Sequence, residues 1–304
     1  MANNISANLY IHSPQVPAVV ATRVLVLGEV LWDRFPDSAR LGGAPLNFAV
    51  QLKRFGEAPL LVSAVGVDQL GEQAGEAIAA LGLDTTLLQS TDRFKTGCAT
   101  VHIGPGENTS FTIERPAAYD ALDLADDEVE QIVRWDPVWF YYGTLFASCP
   151  QPRRALHRLL HALPNAGRFY DLNLRPGFES PELVSELLRA ADVVKLNERE
   201  LRFVHECFDL PGDPEGFCRA AASRYQWRAA CITLGARGCA MLLGDDYLEE
   251  PGFQVNVADP VGAGDAFAAA FLHGISANWS VDRVARFSNR AGALVAAAHG
   301  AIPE

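Results

Sequence analysis

The chain has 304 residues, of which 49% are hydrophobic and 20% are charged, and its formal net charge is −12. This length suits one large α/β domain whose core needs neither disulfides nor metals. The acidic balance excludes the overall basic footprint of a nucleic-acid binder and argues against binding to an anionic membrane surface, so we expect neither partner.

Cysteine usage and the apolar runs indicate a cytoplasmic protein. The six cysteines form no Cys-x-x-Cys pair, which favours reduced thiols over disulfides or zinc. No apolar run approaches the roughly 18 residues of a membrane span. Residues 1–22 lack the positive start and apolar centre of a signal peptide. We expect them to form a partly disordered extension, or an extra edge strand at residues 8–12.

Apolar runs alternate with segments of helical spacing along the chain. In order, the pattern predicts strand 23–28, helix 45–55, strand 60–64, helix 69–81, strand 138–142, helix 153–163, strand 168–171, helix 181–190, strand 192–195, helices 198–204 and 216–225, strand 229–234, and helices 264–273 and 281–299. Ser280 and Gly300 would begin and end the last helix. This alternation predicts a mostly parallel sheet with helices on both faces.

Two segments depart from the alternation. Residues 30–43 are polar and irregular, and residues 97–114 suggest a hairpin around the turn Gly-Pro-Gly-Glu-Asn. We expect residues of about 30–43 and 97–115 to form a small β lid over one edge of the sheet. Ligands of open α/β sheets bind beyond the carboxyl ends of the strands, so a lid there would cover the site.

The strongest local signal is Gly-Ala-Gly-Asp at residues 262–265, before an apolar helical run. A glycine-rich first turn lets a ligand approach the backbone, and exposed N–H groups at a helix start attract an anion. A neighbouring carboxylate could take a proton from an alcohol beside a phosphate. From these residues alone, a tight turn with Asp265 as its cap is an equal alternative. Neither a Walker A loop nor a dinucleotide fingerprint is present, because Gly-Lys-Ser/Thr is missing and Phe267 replaces the third glycine.

Residues 259–267, Asp-Pro-Val-Gly-Ala-Gly-Asp-Ala-Phe, closely resemble the C-terminal signature of the ribokinase-like (PfkB) sugar kinases. Gly-Gly-Ala-Pro-Leu-Asn at 42–47 resembles the N-terminal signature in its fructokinase-type form. Further motifs agree in order at 65–68, 171–176, 195–200 and 233–238. The similarity runs from about residue 24 to residue 300. It implies a three-layer ribokinase-like kinase domain at 23–304 that uses ATP and Mg²⁺.

The resemblance implies a role for each matching residue. Asp265 would be the general base, and the amides at Gly262, Ala263 and Gly264 would hold the charge of the transferred phosphoryl group. Asn197 and Glu200 would organise Mg²⁺ and the nucleotide phosphates through water. The further implied nucleotide contacts are Thr233, Gly235, Gly238 and Asn289, and the implied sugar contacts are Asp33, Gly43, Asn47, Arg115 and Arg175.

Some of these roles have alternatives. Arg175 could pair with Glu179 or Glu182 instead of a ligand. Asp259 stands where relatives can bind a monovalent cation such as K⁺. Pro260 replaces a common threonine and supplies no hydroxyl, although backbone carbonyls could still bind the ion. His157 and His161 are one helical turn apart, yet an exposed face is favoured over zinc, which normally needs three protein ligands.

The sequence therefore predicts ATP-dependent phosphorylation of a sugar hydroxyl, with fructose as the leading acceptor. The alternatives are a kinase of the same fold for a 2-keto-3-deoxy sugar acid or a nucleoside, and a non-catalytic sugar or nucleotide sensor. A dehydrogenase is disfavoured because the dinucleotide fingerprint is missing. Exposed strand edges of the lid also invite pairing with a second subunit, so we expect a homodimer through the lids.

Overall fold

The computed structural model describes residues 21–103 and 109–303. The strands are β1 Arg23–Leu27, β2 Leu31–Arg34, β3 Ala39–Gly42, β4 Ala58–Gly66, β5 Leu88–Thr91, β6 Gly97–Ile103, β7 Thr109–Ile113, β8 Trp139–Gly143, β9 Gly167–Asp171, β10 Val193–Asn197, β11 Ala229–Thr233, β12 Cys239–Leu243 and β13 Asp246–Glu250. The helices are α1 Ala44–Arg54, α2 Gln69–Ala80, α3 Asp126–Trp135, α4 Thr144–Ala147, α5 Pro150–Ala162, α6 Pro181–Ala190, α7 Glu198–Phe208, α8 Pro214–Tyr225, α9 Ala263–Ser276 and α10 Val281–Ala296.

Nine strands form the main sheet in the order β13-β12-β11-β10-β9-β8-β1-β4-β5. The pairs from β11 to β5 are parallel, whereas β12 and β13 are antiparallel and close one edge. Parallel neighbours require crossover connections, and the helices between these strands supply them. All carboxyl ends of the parallel strands therefore meet at one edge of the sheet.

The two faces of the main sheet carry separate apolar cores. Leu25 and Leu27 of β1 pack into a cluster with residues of α3 and α5 to α8. Val24 and Val26 point to the opposite face, where α1, α2, α9 and α10 cover them. This division follows from strand geometry, because successive side chains point to opposite faces. The result is a three-layer sandwich.

A second, small sheet has the order β3-β2-β6-β7. Its central pair, β2 and β6, is parallel, and β3 and β7 are antiparallel edge strands. The chain enters it three residues after β1 and returns from β3 directly into α1. The small sheet is thus tied to the carboxyl end of β1, next to the start of α1.

The α/β fold, the mostly parallel sheet and the small second sheet were all predicted and are confirmed. Within the described residues, each predicted strand and helix has a counterpart in the structure. The sequence reading did not assign α3, α4, β5 or the hairpin of β12 and β13. The last helix ends at Ala296 rather than beside Gly300, and the Ser280 side chain makes no capping hydrogen bond to it. The strand predicted at 8–12 and the turn predicted at 104–108 lie outside the described residues.

Within the described part of the chain, no helix is long and apolar enough to cross a membrane. The thiols of Cys98, Cys218, Cys231 and Cys239 are free and buried in the core.

Candidate active site

Polar residues follow the carboxyl ends of four parallel strands. Glu29 comes two residues after β1, and Asn173 and Arg175 follow β9. Asn197 is the last residue of β10, and Thr233 is the last residue of β11. Because these ends share one edge, the side chains converge there, where α/β sheets bind their ligands.

A cavity of about 390 Å³ opens at this edge, and we call it the acceptor cavity. The small sheet contributes part of its wall through Asp33, Ala99 and Ile113. The polar and charged lining residues are Glu29, Asp33, Asn47, Asn173, Arg175, Lys195, Asn197, Thr233 and Asp265. The predicted sugar contacts Asp33, Gly43, Asn47 and Arg175 all lie in this wall.

A groove of about 300 Å³ lies beyond the start of α9, and we call it the donor groove. The predicted nucleotide residues Thr233, Gly235, Gly238 and Asn289 line it, whereas Asn197 lines the acceptor cavity instead. Thr233, Pro260 and Gly264 border both cavities. A ligand in the groove and one in the cavity would therefore meet at the first turn of α9.

The start of α9 is shaped by Gly262. This residue adopts a left-handed φ of 82°, and a Cβ there would lie 2.5 Å from the Ala301 Cα atom. Only glycine fits both conditions. The Ala263 amide donates to the Pro260 carbonyl at 3.3 Å. The Gly264 amide has no partner within the helix, because the first turn of a helix leaves its N–H groups free for a ligand.

Asp265 lies in this first turn and faces Asn47 of α1. The Asn47 Nδ2 atom donates to Asp265 Oδ2 at 2.8 Å. Burial raises the pKa of Asp265 to about 6, although the hydrogen bond from Asn47 and the charges of Lys195 and Arg175 lower it. Asn47 is only 3% exposed, and its Oδ1 atom lacks a hydrogen-bond partner in the described structure. The cavity thus presents Asp265 to a hydroxylated ligand, with its orientation fixed by the buried Asn47 amide.

Two cations reach the same cavity. Lys195 is buried and its Nζ atom contacts Asp171 Oδ1 at 3.1 Å. Burial opposes its charge, but the carboxylates of Asp171, Glu200 and Asp265 raise the pKa of Lys195, so the ammonium stays charged. The Arg175 guanidinium makes no ion pair with a described residue, and the pairing with Glu179 or Glu182 considered above does not occur there. Arg175 is therefore available to a ligand.

Glu29 was missed by the sequence reading. It is 5% exposed and lines the acceptor cavity. Burial raises the pKa of Glu29 to about 7, despite the nearby charges of Arg175 and Arg115. Burial likewise raises the pKa of Asp33 to about 6. A polar residue just after a buried strand is a signal of a ligand site, and this signal could have identified Glu29.

The structure does not place Arg115 in the acceptor cavity, contrary to expectation. Its guanidinium pairs with the Asp120 carboxylate and donates to the Leu145 carbonyl at 2.9 Å. It also stacks near the rings of Tyr119 and Phe178. Four hydrogen bonds to Asp120, Leu145 and Ser148 hold the guanidinium outside the lining of the acceptor cavity, so Arg115 supports the neighbouring structure rather than a ligand in that cavity.

Glu200 also has a different place from the one expected. Its two carboxylate oxygens accept the Leu174 and Asn197 amides, each at 2.8 Å, while the Asn197 side chain accepts the Glu200 amide at 3.0 Å. This reciprocal pattern is a capping box at the start of α7. Glu200 therefore shapes the end of β10, and its buried carboxylate lies outside the lining of the acceptor cavity.

The apolar wall of the donor groove was not predicted. The segment after β13 brings Phe253, Val255 and Val257 to the groove with their side chains partly exposed. Asn289 of α10 fixes this segment by donating to the Glu250 and Pro251 carbonyls at 3.1 and 3.3 Å. A flat aromatic base could bury this exposed apolar surface.

Asp259 precedes this turn and was the candidate ligand of a monovalent cation. Its Oδ2 atom accepts Arg40 Nη1 at 3.0 Å and the Gly300 amide at 3.1 Å, and its Oδ1 atom accepts the Val261 amide at 3.0 Å. Both oxygens are thus occupied, and Pro260 adds no donor oxygen from its side chain. The side chains present here do not fit a bound monovalent cation.

His157 lies at the surface of α5, and its Nε2 atom is 2.5 Å from Glu186 Oε1. Across the described residues, no group of three or more His, Cys, Asp or Glu side chains could hold a metal ion. A metal in this site would need ligands from the substrates or from water.

A three-layer α/β protein in which two cavities meet at a helix start beside a carboxylate has the architecture of a small-molecule phosphotransferase. Comparison with known proteins agrees. Residues 35–304 match the pfkB family carbohydrate kinase. A fructokinase of Escherichia coli is 30% identical over 93% of this chain and 96% of its own length. Fructokinase-1 of Zea mays is 27% identical over 92% of this chain and 93% of its own length.

Solved structures give the same result. A fructokinase from Xylella fastidiosa with bound ATP superposes with a TM-score of 0.81 and 25% identity, over 92% of this chain and 95% of that one. The chain therefore belongs to the pfkB family of carbohydrate kinases. Its enzymatic class is that of the ATP-dependent sugar kinases.

Proposed function

We propose that this kinase transfers the γ-phosphoryl group of ATP to a hydroxyl of a neutral hexose, with fructose as the leading acceptor. The observation that carries the proposal is the position of Asp265, a basic carboxylate where the acceptor cavity meets the donor groove. The names of the fructokinase relatives support the choice of fructose.

The proposed mechanism uses the residues of this junction. A sugar hydroxyl lies against Asp265, which takes its proton as the oxygen bonds to the γ-phosphorus. The bond from that phosphorus to the β–γ bridging oxygen breaks, and ADP leaves. The Gly264 amide and the charges of Lys195 and Arg175 stabilise the negative charge that the transferred group carries. The Asn47 hydrogen bond fixes the orientation of the base.

We infer that Mg²⁺ enters with the nucleotide. The donor set fits a metal held by phosphates and water, because the described carboxylates form no metal cluster and Mg²⁺ usually keeps several waters. Such an ion would neutralise phosphate charge when bound. Asn197, at the rim of the acceptor cavity, is the residue placed to contact its water shell. No step is assigned to a monovalent cation.

Charge supports a neutral acceptor over a sugar acid. Three carboxyl groups, from Glu29, Asp33 and Asp265, line the acceptor cavity. Of the two cations there, Lys195 is already paired with Asp171. This leaves Arg175 to meet a substrate carboxylate against several acidic neighbours, whereas hydroxyl groups can donate to each of them.

An ATP/Mg²⁺ assay over ketoses, aldoses, sugar acids and nucleosides tests this function. We expect turnover with fructose. Replacement of Asp265 by Asn should lower kcat by about 10²–10⁴-fold, the range for a positioned general base. Preferred turnover of a sugar acid or a nucleoside would replace the proposed acceptor. Binding without turnover of any compound in the panel would indicate a sensor.

Three further expectations remain part of this proposal. Residues 1–22 form an extension before a kinase domain at 23–304, the protein is cytoplasmic, and it forms a homodimer. The two edge strands of the small sheet, β3 and β7, each pair on one side only within the described part of the chain. Exposed edges of this kind accept a strand from another copy. Light scattering should give twice the mass of one chain, and a monomer mass at micromolar concentration would contradict the dimer.

A further inference from the structure

Asp259 connects three parts of the molecule that border the proposed phosphate site. Its carboxylate accepts the Val261 amide immediately before Gly262, and the Gly300 amide from the segment after α10. Its own backbone amide donates to the Ala296 carbonyl at 3.2 Å. A change in the position of this carboxylate would therefore move the turn that presents the Gly264 amide.

The negative charge of Asp259 lies in an unfavourable place for a phosphate enzyme. It stands six residues before Asp265, on the loop that borders both cavities through Pro260. An unbalanced carboxylate there would repel ATP phosphates and raise the energy of charge that develops in transfer. A permanent cation beside the carboxylate would offset this repulsion.

Arg40 of the small sheet supplies that cation. Its Nη1 atom contacts Asp259 Oδ2 at 3.0 Å, and its guanidinium lies 4.7 Å from the centre of the Phe35 ring. The contact joins residues separated by 219 positions in the chain, so it links the edge strand β3 to the loop before α9. A guanidinium keeps its charge at every relevant pH and donates directional hydrogen bonds.

We propose that the Arg40 guanidinium is a built-in replacement for a monovalent cation at the phosphate-binding turn, so that this kinase works without K⁺ and Arg40 positions the turn through Asp259. Arg40 acts through Asp259 and not on the substrate. The inference rests on the proposed phosphoryl transfer, but part of its test does not depend on catalysis.

The activity test compares Arg40→Met with Arg34→Met in KCl, NaCl and choline chloride at equal ionic strength. Arg34 is a matched control, because it lies on the neighbouring strand β2 with 46% side-chain exposure against 45% for Arg40, and it pairs with Glu114 instead. The wild type and Arg34→Met should be equally active in all three salts. Arg40→Met should lose about tenfold or more of kcat/KM in choline chloride, a size expected for a misplaced anion site. K⁺ or added ethylguanidinium should restore it.

A second measurement uses the protein without substrates. The thermal midpoint of Arg40→Met should rise when KCl replaces choline chloride, because an ion that binds only the folded state stabilises it. The midpoints of the wild type and Arg34→Met should not change between these salts.

The outcomes separate the two proposals. If the wild type requires K⁺ for activity, the proposal that Arg40 replaces the cation is wrong. It is also wrong if the Arg40→Met variant behaves like the Arg34→Met variant in every salt. Loss of activity in Arg40→Met without rescue by K⁺ or ethylguanidinium also overturns it. If no sugar is phosphorylated, the proposed function fails, while the thermal midpoints still decide whether an ion can take the place of Arg40.

Discussion

Asp265 should set the acidic limit of catalysis. Its pKa is raised to about 6, and a base works only when deprotonated. The value of kcat/KM should therefore fall by about tenfold per pH unit below pH 6, rather than below the ordinary range near 4. A profile from pH 4.5 to 8 measures this limit.

Two variants identify the group responsible. Glu29 has a pKa of about 7, so Glu29→Gln should remove any inflection near neutrality and leave the one near 6. Asn47→Ala removes the hydrogen bond that lowers the pKa of Asp265, so its inflection should move to higher pH. A profile that is flat down to pH 5 would contradict the assignment of Asp265.

The buried pair of Lys195 and Asp171 should matter for stability. Both side chains are almost fully buried, and each depends on the other for charge compensation. Lys195→Met should lower the free energy of unfolding by about 3–5 kcal/mol, because it removes the cation that contacts the buried Asp171 carboxylate. The double variant Lys195→Met/Asp171→Leu should recover most of the loss in urea unfolding. A double variant that is no more stable than the single one would contradict this account.

At this scale the sequence predicted residues that belong to a local motif. Asp265, Gly262 and Asn47 were found because the motifs that carry them are contiguous. Glu29 and Arg40 were missed because their roles depend on neighbours brought together by the fold. Glu200 was assigned to metal, although its place three residues after Asn197 is also the spacing of a capping box, which the structure shows.

Helix α9 shows how one element combines a structural and a functional glycine. Gly262→Ala should lower the free energy of unfolding by at least ~1–2 kcal/mol, the cost of a left-handed conformation with a side chain, plus a clash with Ala301. Gly264 is different, because the closest atom to an added Cβ is Lys195 Nζ at 3.4 Å.

Gly264→Ala should therefore keep its stability within ~1 kcal/mol of the wild type, since alanine favours a helix. Its methyl group would face the junction of the two cavities, so kcat/KM should fall on the order of 10²-fold. Equal activity losses without a difference in urea unfolding between the two variants would contradict this division of roles.

At the scale of elements, hydrophobic periodicity predicted the buried strands and most helices. It assigned nothing to α3, where Val129 and Ile132 are the buried residues of a largely charged helix. It also did not predict the hairpin of β12 and β13. β13 is an edge strand with only partly buried side chains, so its apolar alternation is weak.

At the scale of the whole molecule, the two cavities are built by different parts of the fold. The donor groove is built by β11, α9 and α10 with the segment after β13, whereas the small sheet supplies one wall of the acceptor cavity. Motifs in the sequence predicted part of each cavity, but not the apolar wall of the donor groove or Glu29 in the acceptor cavity. They also did not predict where the cavities meet, at Thr233, Pro260 and Gly264, because the packing of α9 against α1 and α10 determines that junction.

This division predicts tight coupling between sugar binding and ATP use. Without sugar, water is free to enter the acceptor cavity and approach Asp265, which lines it together with Asp33 of the small sheet. A sugar that bridges the two sheets should exclude that water and complete the site, as closing elements do in other enzymes.

ATP turnover should therefore rise by about 100-fold or more when fructose is added, since a positioned hydroxyl replaces loosely held water. Measurement of ADP release with and without fructose tests the coupling, and a series of deoxy-fructose analogues, each lacking one hydroxyl, provides the matched controls. Equal ADP release in the two conditions would show that the small sheet does not control access of water to Asp265.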